Sequence, residues 1–519
     1  MLKERAAKFA EEAGQKLTQG ESLGSLFVDE NAQVDFYKDL AQYIREGKEV
    51  ASALEATKIA LCERKPAIKP LSEDPEVLAG VCAAAAEHLG SKVSHDALKC
   101  LNNALFDNPP AQSVFQSIDL ARGAQPLAQV LAQTQDLEAL KLAGNVGMII
   151  IAARQGDASA EANAGAASEA AGVSSQDSST DAQDEQVATE TAALAEAALQ
   201  GAVTLAAQLH GSTDGDEEDA LNLFAGEDKG AAARAALTAC FKLIYAAMVV
   251  QADVLASRAA VSRASRAGID AQGLAAFLDS LRLDAQETPM IDRFALAVVQ
   301  TLCAAQPASD ATTSDTQRAE QHSVREVRLQ AASVAMLACE IEGFCELFVR
   351  RGGLKGLLEI LDFSLCEIAS EVTDPVRAVQ TVGELMPYII TCTRVVQESR
   401  RGLEEAQARV FPRTIPPLVR GDTETDAAFD ARGKERQMAG DTPKDVLGGR
   451  LIVFLTCLNS SLKRCVGELL YELCDQSPNE MSRRCGYGNA AHMIAIKAGT
   501  IGDILKKQDE DRARRNEAQ

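Results

Sequence analysis

Tryptophan is absent from this 519-residue chain, aromatic residues make up 4% of it, and histidine occurs only five times. A sheet core relies on aromatic and β-branched side chains, whereas the alanine and leucine that dominate here are strong helix formers. The thirteen cysteines include no C-x-x-C pair, and no histidine stands at ligand spacing to one, so zinc-ribbon and zinc-finger patterns are excluded. Cys100, Cys240, Cys339, Cys392 and Cys457 sit in apolar helical patterns, as expected of buried free thiols in a reducing compartment.

No apolar run reaches the length of a membrane span, since VGMIIIAA and LIVFL are core-sized. The N-terminal MLKERAAKFAEEAG mixes charges and has no apolar signal-peptide stretch. A cytoplasmic protein is expected. The net charge of -23 offers no long-range attraction to nucleic acid or an anionic membrane. G-x-S-x-G, G-x-x-x-x-G-K, H-E-x-x-H and EF-hand patterns are all missing. His88, His95, His210, His322 and His492 have no nucleophile or carboxylate partner in any motif. Covalent catalysis, a metal and a cofactor are therefore not expected.

Lysine and arginine are missing altogether from Gln155 to Asp228, a stretch that holds sixteen acids. It carries most of the net charge, and its low-complexity half, DASAEANAGAASEAAGVSSQDSSTDAQDEQ, is too poor in apolar residues to form a core. Thr189 to His210 is richer in Ala and Leu, and a helix is expected to return there.

On either side, short amphipathic segments closed by Gly or Pro succeed one another: DFYKDLAQYIREG, VASALEATKIALCER, PEVLAGVCAAAAEHLG, SHDALKCLNNALFDNPP, AQSVFQSIDLARG and LEALKLAGNVGMIIIAARQG. One such helix pair leaves its apolar face wet, so the units must stack. The expected fold is all-α, an armadillo/HEAT-like α-solenoid superhelix with a disordered acidic insert. Its expected parts are repeats over 1–154, the insert over 155–228, repeats over 229–500 and a charged tail over 501–519.

Near the end, Leu451, Leu455, Leu458, Leu462, Val466, Leu469 and Leu473 recur at steps of three or four, one apolar helix face. Asn459, Ser460 and Ser461 interrupt the stripe and predict a tight turn between two helices. GYGNAA (Gly486, Tyr487, Gly488, Asn489, Ala490, Ala491) follows, its glycines allowing close backbone approach and Asn489 placed to cap the next helix.

LKRCVGELLYELC followed by GYGNAA resembles the C-terminal repeat of the synembryn family, the chaperones and exchange factors of heterotrimeric G-protein α subunits. SHDALKCLNNALFDNPPAQ (Ser94 to Gln112) and the segment from Val382 to Leu418, with its Pro416-Pro417 turn, are similar to two further stretches of that family. The resemblance implies a concave groove that captures the C-terminal helix of an α subunit, loosening the nucleotide site so that GDP leaves. This is exchange without covalent chemistry.

It also implies groove residues. Asn103 lies off the stripe of Leu98, Leu101 and Leu105 and can present an amide, with Asn102 as the competing register. Lys58 and Arg64 fall where the family carries basic residues. Lys242 stands where the family has asparagine, and a lysine cannot accept a hydrogen bond. Arg394 completes the set. The implied partner is an α subunit, GDP-bound or nucleotide-free, met by a monomer in the cytoplasm with recruitment to the cell cortex or plasma membrane and no stable membrane insertion. Family members continue beyond the equivalent of residue 519 with a region that braces the nucleotide-binding domain, so binding is expected to exceed exchange acceleration here. A generic armadillo scaffold unrelated to G proteins is the alternative.

Overall fold

The structure, a computed structural model, describes residues 2–19, 21–63, 66–169, 191–205, 227–262, 290–303, 315–341, 343–370, 375–412, 442–443, 445–457 and 459–497. Every regular element among them is helical. The chain divides into two compact units, Met1–Ala297 with Ala304–Val334 and Val298–Cys303 with Ala335–Gln519.

The first unit starts with α1 (Leu2–Thr18), α2 (Glu30–Arg45), α3 (Val50–Ala60), α4 (Lys69–Ser72) and α5 (Pro75–Glu87). It continues with α6 (Lys92–Leu105), α7 (Pro109–Gln116), α8 (Ala124–Gln133) and α9 (Leu137–Glu169). The helix starts are set locally. Asp29, Asp74 and Ser91 accept hydrogen bonds from first-turn N–H groups of α2, α5 and α6, donors that otherwise lack partners. The pairs α2/α3, α5/α6 and α8/α9 stack into two rows, α2–α5–α8 (called the outer row) and α1–α3–α6–α9 (called the inner row). Leu98, Leu101 and Leu105 of α6 are fully buried between them, each contributing about 1.5–3 kcal/mol.

A helix over 191–205 (α10) and then α11 (Glu227–Ser262) follow. The inner row continues because α11 packs along α9. A Cβ on Gly144 would stand 3.0 Å from the Ala239 Cβ, and one on Gly147 would stand 2.9 Å from Leu243 Cδ2. Helix α10 buries Leu194, Leu199 and Val203. It crosses α8 and α9 so closely that a Cβ on Gly201 would lie 2.6 Å from the Leu131 carbonyl oxygen.

The expected boundary at 154 falls inside α9, which stays helical to Glu169, and α10 forms where the Ala/Leu-rich stretch predicted a helix. Both sides of the insert belong to one compact unit. Gly230–Val249 of α11 does reach the length and hydropathy of a membrane span, contrary to the expectation from sequence. Two thirds of that window is buried in the protein, which is the pattern of a core helix.

Helices α12 (Met290–Cys303) and α13 (Asp315–Ala338) contribute to both units. Helix α13 begins at Asp315. The second unit adds α14 (Phe344–Arg350), α15 (Gly353–Ser370), α16 (Pro375–Glu398), α17 (Arg400–Val410) and α18 (Leu447–Val453). It ends with α19 (Ser460–Leu473), α20 (Pro478–Cys485) and a helix over 487–497 (α21). Helix α16 is its centre, touching α14, α15, α17 and α19 and burying Leu385, Ile389, Cys392 and Val396. Arg400 and Arg401 open α17, where the Ser399 side chain caps a new helix. The stripe from Leu451 to Leu473 breaks where expected, and Asn459 accepts from the Leu462 N–H at 2.9 Å to start α19. Cys100, Cys240, Cys339 and Cys392 are buried, while Cys457 is half-buried between helices. Burial pushes the Cys240 thiol up to about 12. The Pro416-Pro417 turn, Leu458 and the charged tail lie outside the described residues.

Gly201→Ala should cost about 1–3 kcal/mol by overpacking α10 against α8. Gly14→Ala in α1, with open space around its Cβ position, should gain about 0.5–1 kcal/mol. Urea midpoints of the two variants moving in the same direction would contradict the seating of α10.

Candidate functional site

The inner row of the first unit is covered on one side by α2, α5 and α8. Some side chains bridge neighbouring helices of this row and stay part-exposed. Lys58 of α3 and Asn103 of α6 are two of them. The Lys58 Nζ contacts Asp96 Oδ1 at 2.5 Å, and Asp96 is itself 5% exposed. Asn103 Nδ2 donates to the Lys58 carbonyl at 3.4 Å and meets Cys62 Sγ at 3.7 Å. Burial pushes the Cys62 thiol up, with Lys58 acting in the opposite direction. Asn102 is half-buried beside Asn103. Arg64 lies outside the described residues.

Further along the row, the Lys242 Nζ contacts Glu326 Oε1 of α13 at 2.7 Å, both side chains being part-exposed. Two turns earlier on α11, Arg234 is 2% exposed. Its Nε donates to Ser323 Oγ at 2.9 Å, and Glu320 Oε1 is 3.7 Å from its Nη1. Burial lowers the Arg234 pKa and the Glu320 carboxylate opposes that shift. Arg394 belongs to the second unit, where its Nη1 pairs with Glu340 Oε1 at 2.8 Å and both groups are about half exposed. The structure thus joins Lys58 to Asn103, sets Lys242 on the same row and puts Arg394 in the other unit. Sequence reasoning missed the acids that hold these cations, Asp96, Glu326 and Glu340. Asp96 lies 38 positions from Lys58 and Glu326 lies 84 from Lys242, beyond any local pattern.

The C-terminal motif closes the second unit. Gly486 ends α20 with φ of +80°, a conformation that favours glycine. Asn489 does not cap the following helix. Its Nδ2 reaches back and donates to the Cys485 carbonyl at 2.8 Å, satisfying an acceptor that the end of α20 leaves open. Gly488 has nothing within 4 Å of its Cβ position, so no close approach explains it, and Tyr487 is 73% exposed. Helix α21 returns onto α19, with Met493 against Gly467 and Lys497 Nζ 5.4 Å from the Tyr471 ring. The Glu480 carboxylate is held down to about 2 by hydrogen bonds from Arg483 and Arg484, and Arg484 also covers the Phe411 ring at 4.7 Å. No group of three or more His, Cys, Asp or Glu among the described residues could hold a metal ion.

Comparison with known proteins bears on this arrangement. The profile of a family described as guanine nucleotide exchange factor synembryn matches residues 53–518. The chain is similar to Chaperone Ric-8A of Xenopus tropicalis, 28% identical over 135 residues, which is 25% of this chain and 21% of that protein. The similarity to Chaperone Ric-8A of Rattus norvegicus is 22% over 157 residues, 30% of this chain and 25% of that one. The matched stretch therefore spans about a fifth to a quarter of the curated relatives' length. The crystal structure of She4p aligns over 88% of this chain and 66% of that chain at 11% identity, with a TM-score of 0.17.

Asp96→Asn should destabilise the protein by about 1–3 kcal/mol, because it removes a buried hydrogen-bonded charge partner. Glu55→Gln, breaking the exposed Lys92–Glu55 contact of 2.6 Å across the same two helices, should cost about 0–1 kcal/mol. Equal urea midpoints for the two would contradict the burial assigned to Asp96. Glu480 has a folded pKa below its unfolded value, so its contribution is complete above about pH 4.5 and is lost as the pH falls towards 2. Glu480→Gln should speed amide exchange over residues 478–489 at pH 6, and the difference from the parent should vanish near pH 2.

Proposed function

The chain belongs to the guanine nucleotide exchange factor synembryn family, and from that membership we propose that it binds a heterotrimeric G-protein α subunit, serving as its folding chaperone and as a non-covalent exchange factor. The observation that carries this reading is the extent of the family match, from α3 to residue 518 and so through both units. The solvent side of the α3–α6–α9–α11 row supports it by offering a surface for the C-terminal helix of the α subunit. There Asn103 donates one N–H to the Lys58 carbonyl and keeps its amide oxygen for a ligand N–H.

Removing that helix from its own domain loosens the nucleotide site. The coupling is reciprocal: the factor by which this protein weakens GDP binding is the factor by which GDP weakens its own binding. A nucleotide-free or nascent α subunit is stabilised by the same contacts through mass action. The partner is thus an α subunit in its GDP-bound or nucleotide-free state, and the protein acts as a cytoplasmic monomer recruited to the cell cortex or plasma membrane without inserting.

The test uses the full chain with purified α subunits. Retention of the nucleotide-free form over the GDP-bound form, together with faster release of labelled GDP, is the expected result. Asn103→Ala should weaken the complex by about 1–3 kcal/mol, the cost of leaving a groove hydrogen bond unmade, with little change in the urea midpoint. Loss of affinity in Asn102→Ala instead would move the contact to the neighbouring register. Binding to no α subunit in either nucleotide state would sink the reading.

A further inference from the structure

We propose that Lys242 is a specificity-determining residue of the α3–α6–α9–α11 row: it receives a carboxylate side chain of the bound segment, and Glu326 is the group that carboxylate displaces. The inference rests on the α-subunit reading above and adds the chemistry of one contact.

The cations that bridge the helices of this row are not equivalent. Lys58 is held by Asp96, whose side chain is 7% exposed. Drawing Lys58 away would strand a buried carboxylate, which is strongly unfavourable. Arg234 is buried, with Ser323 and Glu320 against its guanidinium, so no ligand reaches it. Lys92 and Glu55 are exposed, but Lys92 is the first residue of α6 and so stands at the end of its helix, whereas Lys242 lies well within α11.

Lys242 differs from all three. Its side chain is 35% exposed and that of Glu326 is 39% exposed, at a separation of 2.7 Å. Water screens such a pair and leaves it weakly held. Glu326 can therefore return to solvent without a desolvation penalty while another carboxylate takes its place. The ammonium has three donors and no acceptor, so it cannot mimic the two-way hydrogen bonding of Asn103. The group it selects must be an acceptor, and an anionic one gains most from a charge-assisted bond.

The decisive feature is a difference in sign. In the full chain, Lys242→Gln should weaken binding of the cognate α subunit roughly tenfold, the scale of one hydrogen bond to a charged group. Glu326→Gln should strengthen it by about two- to fivefold, because the internal competitor is gone, and raised salt should shrink that gain. Melting temperatures of both variants should stay at the wild-type value. A synthetic peptide copying the C-terminal segment of the partner, with its Asp and Glu changed to Asn and Gln, should bind both variants alike.

If both substitutions lower affinity together, the pair is structural and the proposal is overturned. If neither changes affinity while wild type binds, Lys242 lies outside the interface and the proposal is again overturned, leaving the α-subunit reading intact. If wild type binds no α subunit, that reading fails and this inference falls with it.

Discussion

The inner row of the first unit holds together because α11 lies directly on α9, with Gly144 and Gly147 removing the side chains that would keep them apart. Everything beyond depends on that contact. Lys242 and Arg234 project from α11 to meet α13, so a shift of α11 would carry both pairings with it. The chain between α9 and α11 includes α10, which leaves the row and settles against α8 through Gly201. Helix α9 has already been matched to its neighbour before the chain departs.

The same ion pair performs different work depending on how much water reaches it. Asp96 is buried and fixes Lys58, making the pair part of the connection between α3 and α6. Glu326 is exposed enough to be exchanged, which makes Lys242 a reachable cation. Glu480 is part-exposed too, yet two arginines on its own helix fork onto it and depress its pKa to about 2. Its role is local, stiffening α20 just before the Gly486 turn. Counting such pairs would miss these differences, since desolvation rather than distance separates them.

The all-helical class, most helix positions and the stripe of Leu98, Leu101 and Leu105 were legible because periodicity and capping residues are local signals. So was the break at Asn459. Helix α8 escaped notice because AQPLAQVLAQ carries a proline and few strong apolar residues. The helical reading of DFYKDLAQYIREG put Phe36 and Tyr37 on one element but not the ring cluster they form with Phe9 and Phe27, centroids 5.0–6.3 Å apart, because that contact joins separate elements. The expected boundary at 154 followed a change in composition. Alanine-rich acidic sequence retains helix propensity, so α9 passes through it. As for the candidate site, position off the stripe pointed to Asn103, while the acids holding each cation arise from tertiary proximity that no local pattern encodes.

Glycine has two separate uses in this chain, and the C-terminal motif shows why they must be kept apart. GYGNAA invites an explanation by close backbone approach, yet Gly488 faces open space and Gly486 is there for its positive φ. The close approaches occur at glycines that no motif marks, Gly144, Gly147 and Gly201 in the first unit and Gly448 against the Val410 carbonyl in the second. The two uses have different physical origins. A positive φ is set by the chain's own turn and recurs with its neighbours, here Asn489 closing the Cys485 carbonyl and Ala490 packing at 0% exposure. A packing glycine is set by whatever helix crosses it, and its neighbours in sequence are unconstrained. A hexapeptide can therefore be specific to the eye while the glycines that hold the stack together sit in ordinary helical sequence.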